Sequence, residues 1–314
     1  METSPLTLDA YLDEWFALQR TRVESSTWEM YDDVARAYLR PALGALHLDE
    51  LRVRTLDLHY VRLLEAGGRR GQPLARRTVE HAHAVLRKAL GDAVIAGLLG
   101  DNPTLRATVP RLAPGEDRLP VRLPAWSEAD TRRFLSWSAG HELGDLWRVA
   151  LGTGMRRGEL LGLRWDDVDL RVPQVTVAVA LASISTGLQL KGTKTGRSRT
   201  LFLDDDTAAV LDRQPRREGR WPLVFTGASG DPLSPPWVSD RWRFQWPGLQ
   251  LPRIPLHGLR HTHACLLLAK NVPIKVVSQR LGHANIAMTM DTYAHVLPAM
   301  DRDAATAIAS ALGR

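Results

Sequence analysis

From residue 7 to about 108, apolar side chains recur at helical spacing, as in Leu8, Tyr11, Leu12, Trp15 and Leu18 and again in Val79, Ala82, Leu86, Ala89 and Leu90. Apolar positions three and four apart line one face of an α-helix. The spacing predicts four or five helices and no strand. GRRGQPLARR interrupts the stripe with turn residues, and a new helix starts at about Ala75 to Thr78. Pro110, Pro114, Pro120 and Pro124 then punctuate PRLAPGEDRLPVRLPAW. Proline lacks a backbone donor and stops a helix, so residues 110–126 read as a linker. Ser127 followed by Asp130 forms a capping pair that opens another helix. Helical spacing continues to about Leu163 and gives way to VTVAVALASI, LQLK and RTLFL, short β-rich segments separated by the turns SISTG and GTKTGRS. From about Ser234 the pattern is helical again and ends in DAATAIASALG. The expected fold is mainly α with a small antiparallel β-sheet (α+β), in two domains. Residues 1–109 form the helical one, and residues 127–314 form the second, with a C-terminal tail helix.

Composition narrows the function classes. A length of 314 residues suits two domains, and 44% hydrophobic with 24% charged residues is the balance of an ordinary folded protein. The formal charge of +6 favours a polyanionic partner, because Lys and Arg release condensed counterions from phosphates. Basic residues crowd the stretch from Arg62 to Lys88. Arg69, Arg70, Arg76, Arg77, Arg87 and Lys88 are candidates for a face that meets DNA phosphates; the alternative is a solvated Arg-rich helix. The single Cys265 rules out an intrachain disulfide framework. An acidic N-terminus, with no apolar run of about 18 residues, points to a cytoplasmic protein, associated with the nucleoid if DNA is its partner.

Unusual polar residues collect at four places in the second domain: TGMRRGELLGLRW, KGTKTGRSR, LHGLRHTH and LGHANIAMTMDTYAHV. His257 and Arg260 stand three apart, where an imidazole and a guanidinium share a helix face and address one target. Arg156 follows a Thr-Gly turn near a helix N-terminus, where backbone N–H groups also favour an anion. Glu159, one turn on, is placed to orient that guanidinium or cap the helix. Lysine occurs only at 88, 191, 194, 270 and 275, so Lys194 in an inter-strand turn is a deliberate choice in an arginine-rich chain. An ammonium can release a proton where a guanidinium cannot, which makes Lys194 either a general acid or a solvated hairpin tip. Tyr293 reads as packing until its company is weighed: a phenol attacks phosphorus only where cations stabilise the developing charge.

Together the four places resemble the catalytic domain of the tyrosine recombinase (phage integrase) family. The matching residues are Arg156 in TGMRRGE, Lys194 in TKTG, His257 and Arg260 in HGLRHTH, His283 in LGH and Tyr293 in DTYAHV, in the family's order. The preceding helical region resembles, more loosely, the family's core-binding domain. The resemblance implies a site-specific recombinase or integrase that cleaves and rejoins DNA through a 3′-phosphotyrosyl link to Tyr293 and serves a phage or mobile element. Arg156 and Arg260 would stabilise the phosphate oxygens, His283 would add a hydrogen bond, Lys194 would protonate the leaving oxygen and His257 would act as base or shuttle. No metal or other cofactor is implied. The implied partners are double-stranded DNA sites and further copies of the chain, a dimer per site and a tetramer in the synapse, with accessory DNA-bending or directionality factors compatible. The tail after Tyr293 would dock on a neighbouring protomer or pack on its own chain.

Three other readings are weighed against this one. A dimer resolvase of the Xer type would use the same residues. A non-catalytic DNA-binding regulator would share the fold. A metallohydrolase would use His261 and His263, but His-x-His suits a strand better than the expected helix, and both residues read as core.

Overall fold

The computed structural model describes residues 6–110, 125–192, 196, 198–217, 221–244, 249–283, 285–293, 306 and 308–313. The chain divides into two compact units, Met1–Leu119 and Pro120–Arg314.

The first unit is helical. Helix α1 (Leu8–Arg22) starts where the Thr7 side chain accepts from the Ala10 N–H, and it buries Leu8, Tyr11, Leu12, Trp15 and Phe16 along one stripe. Helix α2 (Ser25–Val34) runs through a π-helical turn, Ala35–Leu39, into the short α3 (Arg40–Leu43). Pro41 explains that turn: with no N–H to give, it breaks the regular ladder and the backbone loosens locally. Helices α4 (Val53–Ala66) and α5 (Arg76–Ile95) complete the bundle. Polar contacts fix how α1 lies on α5. The Tyr11 hydroxyl donates to the Ala89 carbonyl at 2.6 Å, and Trp15 Nε1 donates to Asp92 at 2.8 Å.

The second unit opens on α6 (Glu128–Ser138), started by the expected reciprocal cap of Ser127 and Asp130. Helix α7 (Gly144–Thr153) ends in a left-handed Gly154, and α8 (Arg157–Leu161) follows with Arg156 as its cap. The β-rich region is antiparallel as expected, and among the described residues it forms two small sheets. Strands β1 (Val168–Asp169), β2 (Gln174–Val177) and β5 (Arg199–Phe202) pair in the order β1-β2-β5, while β3 (Val179–Ile184) and β4 (Gly187–Gly192) make a separate hairpin. Helices α9 (Asp205–Asp212), α10 (Pro235–Phe244), α11 (Gly258–Ala269), α12 (Ile274–Leu281) and α13 (Ile286–Tyr293) follow. Aromatic rings hold the centre. Trp147 meets Trp242 edge-on at 5.0 Å, Phe134 meets Trp242 at 5.5 Å, and Trp126 meets Phe134 at 4.7 Å. Among the described residues no helix is long and apolar enough to cross a membrane.

Trp147 is fully buried in that cluster. Its replacement, Trp147→Ala, should cost about 3–5 kcal/mol through lost transfer energy and the cavity left behind. Urea unfolding followed by fluorescence checks this; a loss below about 1 kcal/mol would contradict the placement.

Candidate active site

The site is built on the carboxyl end of α12. A helix ends with carbonyls that have no intrahelical partner. Here the N–H groups of Gly282 and His283 return to Gln279 and Ser278, with Gly282 left-handed at φ 66. The next three carbonyls go to three different arginines. Arg199 Nε donates to the Arg280 carbonyl at 2.8 Å, Arg260 Nη2 to the Leu281 carbonyl at 2.5 Å, and Arg156 Nη2 to the Gly282 carbonyl at 3.3 Å. The negative end of the helix dipole favours these cations.

Glu159 ties two of these arginines, Arg156 and Arg199, from the other side. Its carboxylate, 4% exposed, accepts from the Arg156 backbone N–H at 2.8 Å, from Arg156 Nη1 at 2.8 Å, and from Arg199 Nη1 and Nη2 at 3.0 and 2.7 Å. Burial pushes its pKa up, but hydrogen bonds and charge from Arg199 and then Arg156 outweigh that and hold it at about 2. Glu159 therefore both caps α8 and orients Arg156. Arg260 is 2% exposed and also donates Nη1 to the Gly154 carbonyl at 2.8 Å. Burial, then the charge of Arg156, presses it down to about 9, and it remains a cation at neutral pH. Three guanidinium groups around one carboxylate leave two positive charges in excess. An anion would complete the cluster.

The histidines beside these cations stay neutral. His283 Nδ1 lies 2.7 Å from the Thr289 hydroxyl, and burial, then Arg260 and Arg156, bring its pKa to about 4. His257 stands at the start of α11 with an edge open to solvent; partial enclosure of its ring, then Arg260 and Arg156, lowers its pKa. Arg156, His257 and Arg260 all line a cavity of about 700 Å³ whose apolar floor includes Trp147 and Trp242.

Tyr293 closes α13 and is 1% exposed, packed with Ala264, Leu268, Val277 and Leu281. Its hydroxyl sits 2.9 Å from His261 Nδ1, and the His261 ring meets His257 at 4.8 Å. Burial raises the phenol pKa, while burial, then His257 and Arg260, brings His261 to about 4. With the phenol a weaker acid and the imidazole a weaker base than usual, the proton stays on the tyrosine. His263, one turn of chain beyond Arg260, is buried and pairs through Nδ1 with the Leu151 carbonyl at 2.7 Å. Among the described residues no group of His, Cys, Asp and Glu is arranged to hold a metal. Cys265 is half-buried, with its thiol pushed up to about 11 by burial.

The structure thus brings Arg156, Glu159, His257, Arg260 and His283 to one place, with Tyr293 joined to it through His261. Lys194 and Lys194's turn, residues 193–195, lie outside the described residues. In the first unit Arg69, Arg70, Arg77 and Arg87 are exposed. Arg76 pairs with Glu80 at 3.2 Å, and Lys88 pairs with Asp92 at 2.7 Å, so each of these two charges already has a carboxylate. Sequence reasoning missed Arg199 and the partner of Tyr293. RSRT holds two arginines at the same strand parity, and nothing local distinguishes them.

Residues 138–300 match the phage integrase family, and residues 7–58 match the phage integrase N-terminal SAM-like domain. The chain belongs to the phage integrase family. This integrase-family chain is a tyrosine recombinase, and its curated relatives agree in kind. A XerC-like tyrosine recombinase of Caldanaerobacter subterraneus is 25% identical over 93% of this chain and 80% of its own length. An integrase of Streptomyces ambofaciens is 27% identical over 90% of this chain and 74% of its own. The Tn1549 transposon integrase, solved with circular-intermediate DNA, superposes with a TM-score of 0.78 at 19% identity, over 92% of this chain and 95% of that one. A lambda integrase tetramer on a Holliday junction gives 0.70 at 17% identity, over 92% of this chain and 78% of that one.

The titrations give an acid limb with two parts. His261, His263 and His283 each stand near 4 in the fold against 6.5 ordinarily. The unfolded chain therefore binds more protons between those values, and stability falls as pH drops from about 6.5 toward 4. Glu159, at about 2 against an ordinary 4.5, contributes stability that is present above 4.5 and lost below it, worth roughly 3 kcal/mol at most. Denaturant unfolding across pH should show both parts, with Glu159→Gln removing only the lower one; an unchanged lower limb would contradict this account.

Proposed function

We propose that this recombinase integrates or excises a phage or mobile element, cleaving and rejoining DNA through a covalent bond between Tyr293 and a 3′-phosphate. The observation that carries the reading is the convergence of Arg156, Arg260, His257 and His283 around one helix end with uncompensated positive charge, joined through His261 to Tyr293. A phosphodiester is the anion this cluster fits. Arg156 and Arg260 donate to its non-bridging oxygens, and neutral His283, with Nδ1 facing Thr289, donates through Nε2.

The Tyr293 oxygen attacks phosphorus, the bond to the 5′-oxygen breaks, and Lys194 supplies the proton that leaves with that oxygen. The phenol proton passes to exposed His257 as base or shuttle. The 5′-hydroxyl of a partner strand then reverses the step, so no external energy source is consumed. Tyr293, 1% exposed and with its hydroxyl engaged by His261, does not reach DNA as it stands, so α13 shifts before attack. Glu159 keeps Arg156 aimed.

Double-stranded DNA sites are the proposed partner, bound as a dimer per site and a tetramer in the synapse. The lambda integrase structures, a dimer on a core site and a tetramer on a Holliday junction, support that stoichiometry. The exposed Arg69, Arg70, Arg77 and Arg87 are proposed phosphate contacts of the first unit, residues 1–109, as a core-binding domain, with Arg76 and Lys88 as lesser ones. Residues 110–126 are the proposed linker, and residues 127–314 the catalytic domain.

The chemistry is tested with a pool of randomised duplexes carrying a nick, in which loss of a short 5′-hydroxyl fragment traps the covalent intermediate. Wild-type protein should give an SDS-resistant adduct mapping to Tyr293, Tyr293→Phe none, and Lys194→Ala an adduct formed at least about 100-fold more slowly. Absence of adduct with the wild type, or its survival in Tyr293→Phe, would overturn the mechanism. Deleting residues 301–314 should weaken pairing of two sites far more than binding of one, read by sedimentation of the complexes; equal losses would argue against docking of the tail on a neighbour.

A further inference from the structure

We infer that Arg199 is a positioning residue of the cleavage step, acting as a brace that holds Glu159 and the end of α12 together so that Arg156 keeps its aim at the phosphate. The inference rests on the reading of the site as a DNA-cleaving centre, and it adds a residue that neither the sequence motifs nor the family order singles out.

Three features of Arg199 carry it. Its side chain is only 12% exposed, and each guanidinium nitrogen already donates: Nε to the Arg280 carbonyl, Nη1 and Nη2 to Glu159. Three of its five N–H groups are thus committed to Glu159 and the end of α12. It acts through what it holds.

What it holds is both anchors of Arg156. The Arg156 guanidinium is fixed by Nη1 on Glu159 and by Nη2 on the Gly282 carbonyl. Glu159 receives two of its four donors from Arg199. Gly282 packs against the same guanidinium so closely that a Cβ there would lie 2.8 Å from Nη1 and 3.0 Å from both Cδ and Cζ. The glycine of LGH thus meets two demands, a left-handed turn at φ 66 and the face of Arg199. Arg156 itself is 36% exposed and has no comparable packing, so its precision depends on these supports. A misplacement of about 1 Å at a reacting group can cost on the order of 100-fold in rate.

Arg199 also opens β5, five positions after Lys194. The first residue of β5 is therefore pinned directly to the arginine cluster.

Removal of Arg199 changes the titration of Glu159 in a defined direction. Burial raises the Glu159 pKa, and Arg199 is the chief force against it. Without Arg199 the carboxyl becomes protonatable at higher pH, and its protonated form releases Arg156.

The test uses the full-length protein and a nicked duplex recovered from the randomised pool. Single-turnover adduct formation gives the rate, and binding of the same duplex by Tyr293→Phe backgrounds gives affinity. Arg199→Met should slow adduct formation by about 30- to 300-fold while changing DNA affinity less than about 3-fold, and it should add an acid limb in which the rate falls as pH drops toward 5. Arg199→Lys keeps the charge but reaches fewer acceptors, and should recover part of the rate and move the limb back down. Adding Glu159→Gln to Arg199→Met should abolish the new limb, because no titrating carboxyl remains. Should Arg199→Met fail to fold, Arg199→Lys against wild type carries the comparison by itself, through rate and pH profile together. A rate within about 3-fold of wild type, or a uniform loss with an unaltered pH profile, would overturn the inference. Lack of any wild-type adduct would instead strike at the proposed cleavage chemistry.

Discussion

Three consecutive carbonyls at the end of α12, those of Arg280, Leu281 and Gly282, each accept from a different arginine, and the rest of the site depends on that arrangement. A helix terminus is a rigid ruler: its carbonyls are spaced by the backbone and cannot drift independently. Arginines drawn from β5, α11 and the cap of α8 meet there, each donating to one of these carbonyls. Their convergence is the means by which segments more than a hundred residues apart come to share one pocket.

The same arrangement sets the electrostatics. Crowded guanidinium groups are tolerable because Glu159 lies among them as a committed carboxylate and because dipole-bearing carbonyls face them. One carboxylate does not balance three cations, and burial, reinforced by these cations, keeps the neighbouring histidines neutral. Neutral imidazoles can donate to or accept from a ligand without adding repulsion. The site is thereby suited to a phosphate that supplies the missing negative charge. Tyr293, in turn, occupies an apolar niche where its hydroxyl has a partner and burial raises its pKa. Stability of the resting fold and the reactivity proposed for this hydroxyl oppose each other.

The aromatic centre of the second unit serves the same end at greater distance. Trp147, Phe134, Trp126 and Trp242 hold α6, α7 and α10 in fixed register. That packing leaves α7 to end at Gly154, whose carbonyl receives Arg260. A Cβ at Gly154 would lie 2.6 Å from the His263 ring, so the turn before Arg156 is set by packing against α11 as well as by backbone preference.

The sequence alone determined the classes of element and the chemistry on offer. Helical periodicity in the first hundred residues, the Ser127 cap and the β-rich stretch after Leu163 rest on local rules of propensity and spacing, which act within a few residues and so can be read from them. The motifs around Arg156, His257, Arg260 and His283 were legible for a similar reason, since an arginine or histidine in a Gly-flanked turn or at a helix start stands out from its neighbours. Tertiary structure alone decided the partition into two small sheets, the engagement of Tyr293 by His261 and the contacts of Arg199 with Glu159 and α12. Each of these is a contact between residues that no short-range pattern relates, or a choice among chemically identical side chains made by where the backbone carries them. An arginine on an edge of β5 is one of many in the sequence; it becomes particular only when the end of α12 and Glu159 arrive beside it.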